Sequence, residues 1–242
     1  MLFIKLDAID STNDYLKDLA KKESLENFTT VIAEKQLKGK GQMGSQWSSE
    51  AGKNLTMSVL IKSDLTTTQT IFNINVAVAL SIITVLDSLN IPKVSVKWPN
   101  DIMAGNKKLG GILIENAIKS DGTVSSVIGI GLNINQSNFF NLPKATSLLL
   151  EMQQEFDKEM LMNKIVEKLQ NYIEMLPINS DNLWETYHNR LFKKGIPMPF
   201  QLADGRKIMG IIEKVSREGM LELLLDDDSL QHFGVKDITM LY

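Results

Sequence analysis

Val96-Lys97-Trp98-Pro99-Asn100-Asp101, followed closely by Lys107-Lys108-Leu109-Gly110-Gly111-Ile112-Leu113-Ile114-Glu115, is the stretch that decides the fold. Val94, Val96 and Trp98 alternate with Lys93, Ser95 and Lys97, which predicts a half-buried strand. Pro99 stops that strand and delivers Lys97, Asn100 and Asp101 together at its end. An amide and a carboxylate so placed can hold Mg²⁺ or steer a nucleotide. The same pair can also form an Asx-type turn that bonds only backbone. In the second segment two lysines precede a glycine pair at the start of a strand. Glycine weakens strands, so a pair there signals close packing or the approach of a ligand. Lys108 is placed either to face a carboxylate and a phosphate at once or to stand exposed on a tight turn.

Outward from this centre, residues 3–6 suggest a short strand, and Ser11-Thr12-Asn13 reads as a helix start, with Tyr15, Leu16 and Leu19 following at helical spacing. Strands are expected over 29–33 and 55–61, and a long helix over 69–89. Residues 109–118 and 123–132 read as two strands joined around Asp121-Gly122. Helices are expected over 158–175 and 181–192. Near Lys194-Gly195 the composition changes to short strands over 200–202, 208–216, 220–225 and 230–233, separated by turns at Asp204-Gly205 and Glu218-Gly219. The expected organisation is a larger α/β domain over 1–193, with a mixed sheet, and a small β-barrel over 194–242.

Residues 36–47 read Gln36-Leu37-Lys38-Gly39-Lys40-Gly41-Gln42-Met43-Gly44-Ser45-Gln46-Trp47. Glycines expose backbone N–H groups and the lysines add charge, which suits a phosphate or carboxylate. A flexible surface loop with solvated lysines is the alternative. The spacing is neither GxxxxGK[ST] nor a strand-terminal GxGxxG. Gly129-Ile130-Gly131-Leu132-Asn133-Ile134-Asn135 alternates small and apolar residues and ends in amides, either as a close-packed strand or as a site wall.

The 242 residues include no cysteine, which excludes disulfides, thiolate metal sites and Cys nucleophiles. The formal net charge of −3 gives no general attraction to nucleic acid. The most apolar stretch, 71–89, is interrupted by Asn73, Asn75, Ser81, Thr84, Asp87 and Ser88, so no membrane span is expected. The N-terminus carries Asp7 and Asp10 and no long apolar run, unlike a signal peptide.

Taken in order, Ser11-Thr12-Asn13-Asp14, the Gly/Lys loop that begins with Gln36 and ends in Trp47, KWPND at 97–101, KLGGILIE at 108–115 and GIGLNIN at 129–135 resemble the biotin protein ligase family. The resemblance runs over about 10–135, and the C-terminal strands are similar in kind and position to that family's SH3-like domain. It implies a catalytic domain related to class II aminoacyl-tRNA synthetases. It also implies an enzyme that condenses biotin with ATP to biotinyl-5′-adenylate, with Mg²⁺, and then passes biotin to a lysine of a biotin carboxyl carrier domain.

By motif, the resemblance implies that Ser11, Thr12, Asn13 and Gln36 contact the biotin head. Gly39, Lys40, Gly41, Gln42 and Trp47 would belong to a loop closing over biotin and adenylate, with Lys40 also acting in the chemistry. Lys108 would sit beside the reacting carboxylate and phosphate, and Gly110 and Gly111 would admit the ligand tail. Lys97, Asn100, Asp101 and Asn133 would handle the nucleotide, with Asp101 on the metal. The family's loop is typically richer in arginine, GRGRxGR, where this chain has GKGQMGS; Gln42 and Ser45 carry no charge. The resemblance further implies a cytoplasmic, monofunctional enzyme without sequence-specific DNA binding, since the STN motif starts at Ser11, and a monomer or homodimer. A lipoate or octanoate ligase of the same superfamily, or a non-catalytic biotin or nucleotide sensor, are the alternatives.

Overall fold

The computed structural model describes residues 2–63, 68–118, 124–140 and 142–242. Strand β1 (Phe3–Ile9) and helix α1 (Thr12–Lys22) are followed by β2 (Thr30–Gln36), a long loop, β3 (Leu55–Ser63) and α2 (Thr68–Ser88). Then come β4 (Val94–Lys97), β5 (Asp101–Ala104), β6 (Lys107–Ile118) and β7 (Val124–Leu132). Helices α3 (Leu148–Met152) and α4 (Lys158–Asn189) lead into β8 (Pro197–Leu202), β9 (Lys207–Val215), β10 (Leu221–Leu225), β11 (Leu230–Phe233) and β12 (Ile238–Met240).

The first seven strands form one mixed sheet in the order β1-β2-β3-β7-β6-β5-β4, with only the β1–β2 pair parallel. Its alternating side chains divide two faces. Leu55, Met57, Val59 and Ile61 of β3 join α2 and α4 in the main core, whereas Leu60 packs with Leu16 of α1 on the other side. Helices α2 and α4 thus cover one face. Helix α1 covers the other only where it crosses β2, β3 and β7. The remainder of that second face is the floor of the cavity described below.

The chain turns back at Pro99, so the expected stop is a hairpin in which Lys97 pairs with Asp101. The β6–β7 ladder runs from Gly110 opposite Leu132 to Ile118 opposite Val124, as a hairpin requires; the Asp121-Gly122 turn lies outside the described residues. The two helices expected after residue 158 are consecutive parts of α4, broken at Asn179 (φ −141°, ψ 38°). Pro177, two residues earlier, has no N–H to continue the ladder and crowds the preceding turn. Strands β5 and β12 and the short α3 were not expected from the sequence.

The C-terminal strands form a separate antiparallel sheet in the order β11-β10-β9-β8-β12, of the SH3-like kind. Composition changes at 194, but the hydrophobic core does not end there. Phe200, Ile212, Leu221 and Phe233 belong to the same buried cluster as α2 and α4. The Trp98 indole N–H donates to the Gly219 carbonyl at 3.0 Å, and the His188 ring nitrogen lies 2.9 Å from the Val215 carbonyl oxygen. Among the described residues no helix is long and apolar enough to cross a membrane.

Gly219 anchors this junction. Its φ is +86°, and a Cβ there would come within 2.3 Å of the Phe72 ring, itself stacked on Trp184. Gly219→Ala is expected to cost about 1–3 kcal/mol, from left-handed backbone strain and displacement of Phe72. A urea-unfolding midpoint equal to that of the parent chain would refute this account of the junction.

Candidate active site

A cavity of about 520 Å³ opens on the uncovered part of the sheet, and 13 residues singled out from the sequence line it. Ser11, Thr12 and Asn13 come from the start of α1, and Gln36 from the end of β2. Lys40, Gly41, Gln42 and Trp47 come from the loop between β2 and β3. Lys97, Asn100 and Asp101 come from the β4–β5 turn, and Lys108 and Gly111 from β6. Val235 and Thr239 of the C-terminal sheet segment complete the wall. Gly129 and Gly131 of β7 are floor positions where no side chain fits. A Cβ on Gly129 would lie 2.6 Å from Asn13 Oδ1, and one on Gly131 2.5 Å from the Trp47 ring.

Three expected residues are not part of this lining. Gly110 faces the Leu132 side chain, where a Cβ would be 2.4 Å away, so it serves strand packing. A register shift between β5 and β6 explains this: Lys108 pairs with Met103 and Gly110 with Ile102, leaving Leu109 as the extra residue. Such a bulge resets the alternation, and so Lys108 and Gly111, three apart, share the cavity face. Gly39 is packed against the Trp47 carbonyl. Asn133 is buried beneath the floor, its amide donating to the Thr146 carbonyl at 2.9 Å.

One end of the cavity is neutral and polar. Ser11 caps α1, its hydroxyl accepting from Asp14 N–H. Thr12 N–H and Oγ1 lie 2.8 and 3.0 Å from Gln36 Oε1. The Ser58 hydroxyl oxygen is 2.7 Å from Thr12 Oγ1 and 2.5 Å from Asn13 Oδ1, and Asn13 Nδ2 donates to Glu115 Oε2 at 2.8 Å. Thr12, Asn13 and Ser58 are all buried. Ser58 was not singled out from the sequence, and Glu115 was quoted without a role. The available signal for Ser58 was the polar pair Thr56 and Ser58 at alternate positions of an otherwise apolar strand.

The other end is charged. Asp101 lies between two ammonium groups, with Lys108 Nζ 2.5 Å from one carboxylate oxygen and Lys97 Nζ 3.4 Å from the other. Asn100 is tied to the neighbouring strand, its amide donating to the Ile112 carbonyl at 2.8 Å and its carbonyl accepting from Ile112 N–H at 2.9 Å. These are cross-strand bonds and not an Asx turn, and Asp101 bonds lysine side chains, so the turn-only alternative does not describe the pair; Asn100 lines the cavity.

The loop is folded over the site. Gly41 N–H bonds the Ser45 carbonyl at 2.7 Å and Trp47 N–H the Gly39 carbonyl at 2.9 Å. Its lysines pair with carboxylates just before and within α1: Lys38 with Asp10 at 2.7 Å and Lys40 with Asp14 at 2.6 Å. Burial works against the charged form of Asp14, but hydrogen bonds and charge from Lys40 and Lys17 outweigh it and hold the carboxyl below its usual range. The buried indole N–H of Trp47 has no hydrogen-bond partner among the described residues, which leaves a donor beside the cavity.

Residues 6–135 match the model of the biotin/lipoate A/B protein ligase family. The chain is 33% identical over 132 residues to the bifunctional ligase/repressor BirA of Bacillus spizizenii, covering 54% of this chain but 40% of that relative's length. To the bifunctional ligase/repressor BirA of Salmonella typhimurium it is 30% identical over 228 residues, covering 93% of this chain and 69% of the relative. In fold it superposes on a biotin protein ligase from Aquifex aeolicus, solved in complex with biotin and ATP, with a TM-score of 0.80 at 23% identity, covering 99% of this chain and 98% of the other. With the match extending over more than half of its length, the chain belongs to the biotin/lipoate A/B protein ligase family.

Proposed function

We propose that this chain is a biotin–protein ligase that uses ATP to activate biotin as biotinyl-5′-adenylate and transfers it to a lysine of a biotin carboxyl carrier domain. One observation carries the reading: a single cavity joins a neutral donor–acceptor end, at Thr12, Asn13 and Gln36 with Ser58 buried behind them, to an end where Lys97, Lys108 and Asp101 converge. Biotin has the same division, with a polar ureido head, an apolar tail and a carboxylate. An apolar acyl head such as octanoyl would offer no acceptor to the Gln36 amide N–H group, whose oxygen is already taken by Thr12, at a cost of about 1–3 kcal/mol.

In the first step a biotin carboxylate oxygen forms a bond to the α-phosphorus of ATP, and the bond from that phosphorus to the β-bridging oxygen breaks. Pyrophosphate leaves. Two anions must approach each other, and the Lys108 ammonium, at the charged end, offsets their repulsion and the charge that develops at phosphorus. In the second step an acceptor lysine, as the free amine, attacks the acyl carbon. AMP leaves with the bonding electrons and the amine loses its proton. Gln42, Lys40 and Trp47 in the overlying loop limit water access, which an acyl adenylate requires.

Among the described residues no group of three acidic, His or Cys side chains can hold a metal. The donor set therefore does not fit an ion caged by protein. It fits Mg²⁺ that arrives on the nucleotide phosphates and takes one carboxylate, Asp101, the acidic side chain in the cavity lining. Such an ion would neutralise phosphate charge. ATP as co-substrate is in keeping with a cytoplasmic enzyme.

Two outcomes are expected. With ATP, Mg²⁺, biotin and a carrier domain, the carrier gains one biotinyl group by intact mass, and Lys108→Ala lowers the rate on the order of 10²–10³-fold. A gain with lipoate or octanoate but none with biotin would move the chain to the neighbouring branch, and no gain with any acid would favour a sensor. Separately, amide hydrogen exchange over 38–52 should slow when biotin and ATP are added together, because closure sequesters the adenylate. Unchanged exchange there would count against a closing loop.

A further inference from the structure

The neutral end of the cavity contains more hydrogen-bond contacts than hydroxyl protons. Ser58 Oγ contacts Asn13 Oδ1 and Thr12 Oγ1, and Thr12 Oγ1 contacts Gln36 Oε1, so two hydroxyl protons serve three oxygen–oxygen contacts. Their direction is decided outside the cavity. An ionised carboxylate only accepts. Glu115 therefore draws Asn13 Nδ2, which turns Asn13 Oδ1 toward Ser58. An amide oxygen also only accepts, so the Ser58 proton is committed to it. The Thr12 proton is then the one left for Ser58 Oγ and Gln36 Oε1. Neither hydroxyl keeps a proton for a ligand. Gln36 Oε1 is also occupied by Thr12 N–H, so the group that this cavity-lining side chain can still offer a ligand is its Nε2 donor.

Lys17 supports this arrangement from behind, 2.7 Å from Glu115 and 2.9 Å from Asp14. Burial disfavours its charge, but its hydrogen bonds and charge interactions with Glu115 and Asp14 prevail and raise its pKa above the usual lysine value.

We propose that Glu115, which is absent from the cavity lining, is a positioning residue that fixes the donor–acceptor polarity of the neutral end through Asn13, Ser58 and Thr12. Thr12 Oγ1 then presents an acceptor and Gln36 Nε2 a donor. This polarity selects an acid whose head is a cyclic urea, with N–H beside C=O, over one whose head lacks those groups. The inference rests on reading this cavity as the biotin end.

Calorimetric titration of the full chain with biotin, with desthiobiotin and with ATP tests it, using Glu115→Gln. An amide at this position can donate to Asn13, which releases the amide to flip and the Ser58 proton to turn away. Biotin and desthiobiotin, which share the urea, should both weaken about tenfold or more in this variant, while ATP affinity and the thermal midpoint stay within about twofold and 2 °C of the parent. Ser58→Ala cuts the same relay and should reproduce the split. If Glu115→Gln does not fold, Ser58→Ala decides. Unchanged biotin affinity, or equal losses for biotin and ATP, would overturn the relay. No binding of biotin or desthiobiotin by the parent chain would instead overturn the biotin reading and the relay with it.

Discussion

A seven-stranded sheet with a hydrophobic cover on one face must make its other face tolerable to water or to a ligand. Here α2 and α4 bury the aliphatic side of β3, β6 and β7, and α1 reaches only part of the opposite side. On the uncovered part, small residues open the floor at Gly111, Gly129, Gly131 and Thr56, beside the larger Lys108 and Leu113. Larger side chains there would fill the space, as the Cβ distances at Gly129 and Gly131 show. The cavity is therefore a consequence of how the sheet is covered. The loop between β2 and β3 and the C-terminal sheet close over a gap that the helices leave.

Within that gap the positive charges are already paired. Lys40 is held by Asp14, and Lys97 and Lys108 by Asp101. These pairs are partly solvent-exposed, so each contributes little to stability. Their value is that of placement. A lysine with an internal carboxylate partner keeps a defined position without substrate, and an incoming phosphate competes for that partner's cation. Lys40 also lacks the planar fork of an arginine, so its hold on a phosphate is that of a point charge. Gln42 and Ser45 add no charge to the loop. The charged end of the site thus depends mainly on the lysines of the sheet.

Much of this was legible in the sequence because the residues that form the site sit at the ends of elements with clear periodicity. The alternation over 93–98 placed Lys97 at the end of a strand, and the Ser11 cap placed Thr12 and Asn13 at the start of a helix. Failures occurred where local pattern and three-dimensional alternation part. Gly110 and Gly111 look equivalent in sequence, but the Leu109 bulge sends only Gly111 toward the cavity. Asn133 follows a strand whose glycines line the floor, yet its backbone N–H bonds the Leu109 carbonyl and its side chain secures the 146 segment. Strand β5 is buried at three successive positions, Ile102 to Ala104, and so lacks the alternation that marked β4, and β12 has only three residues. Ser58 and Glu115 become meaningful only when strands distant in sequence bring them to Asn13.

The C-terminal sheet is bound to the same core, and that bears on the chemistry. Trp98, between Lys97 and the Asn100-Asp101 pair, donates its indole N–H to Gly219. Strand β4 is held on its outer side by backbone hydrogen bonds between Val96 and residues Arg190 and Phe192, at the end of α4. The turn that presents Lys97 and Asp101 is consequently clamped from the C-terminal side, while Val235 and Thr239 from that side complete the cavity wall. A sheet that only decorated the catalytic domain would need neither contact. The proposed adenylyl transfer demands that the charged end be held closely in place, since a misplacement of about 1 Å can cost on the order of a hundredfold in rate. Here that positioning depends on residues as far as 145 positions away along the chain, as the Lys97–Tyr242 ring contact at 5.3 Å illustrates; the C-terminal strands thereby help to hold the carboxylate and lysines of the charged end.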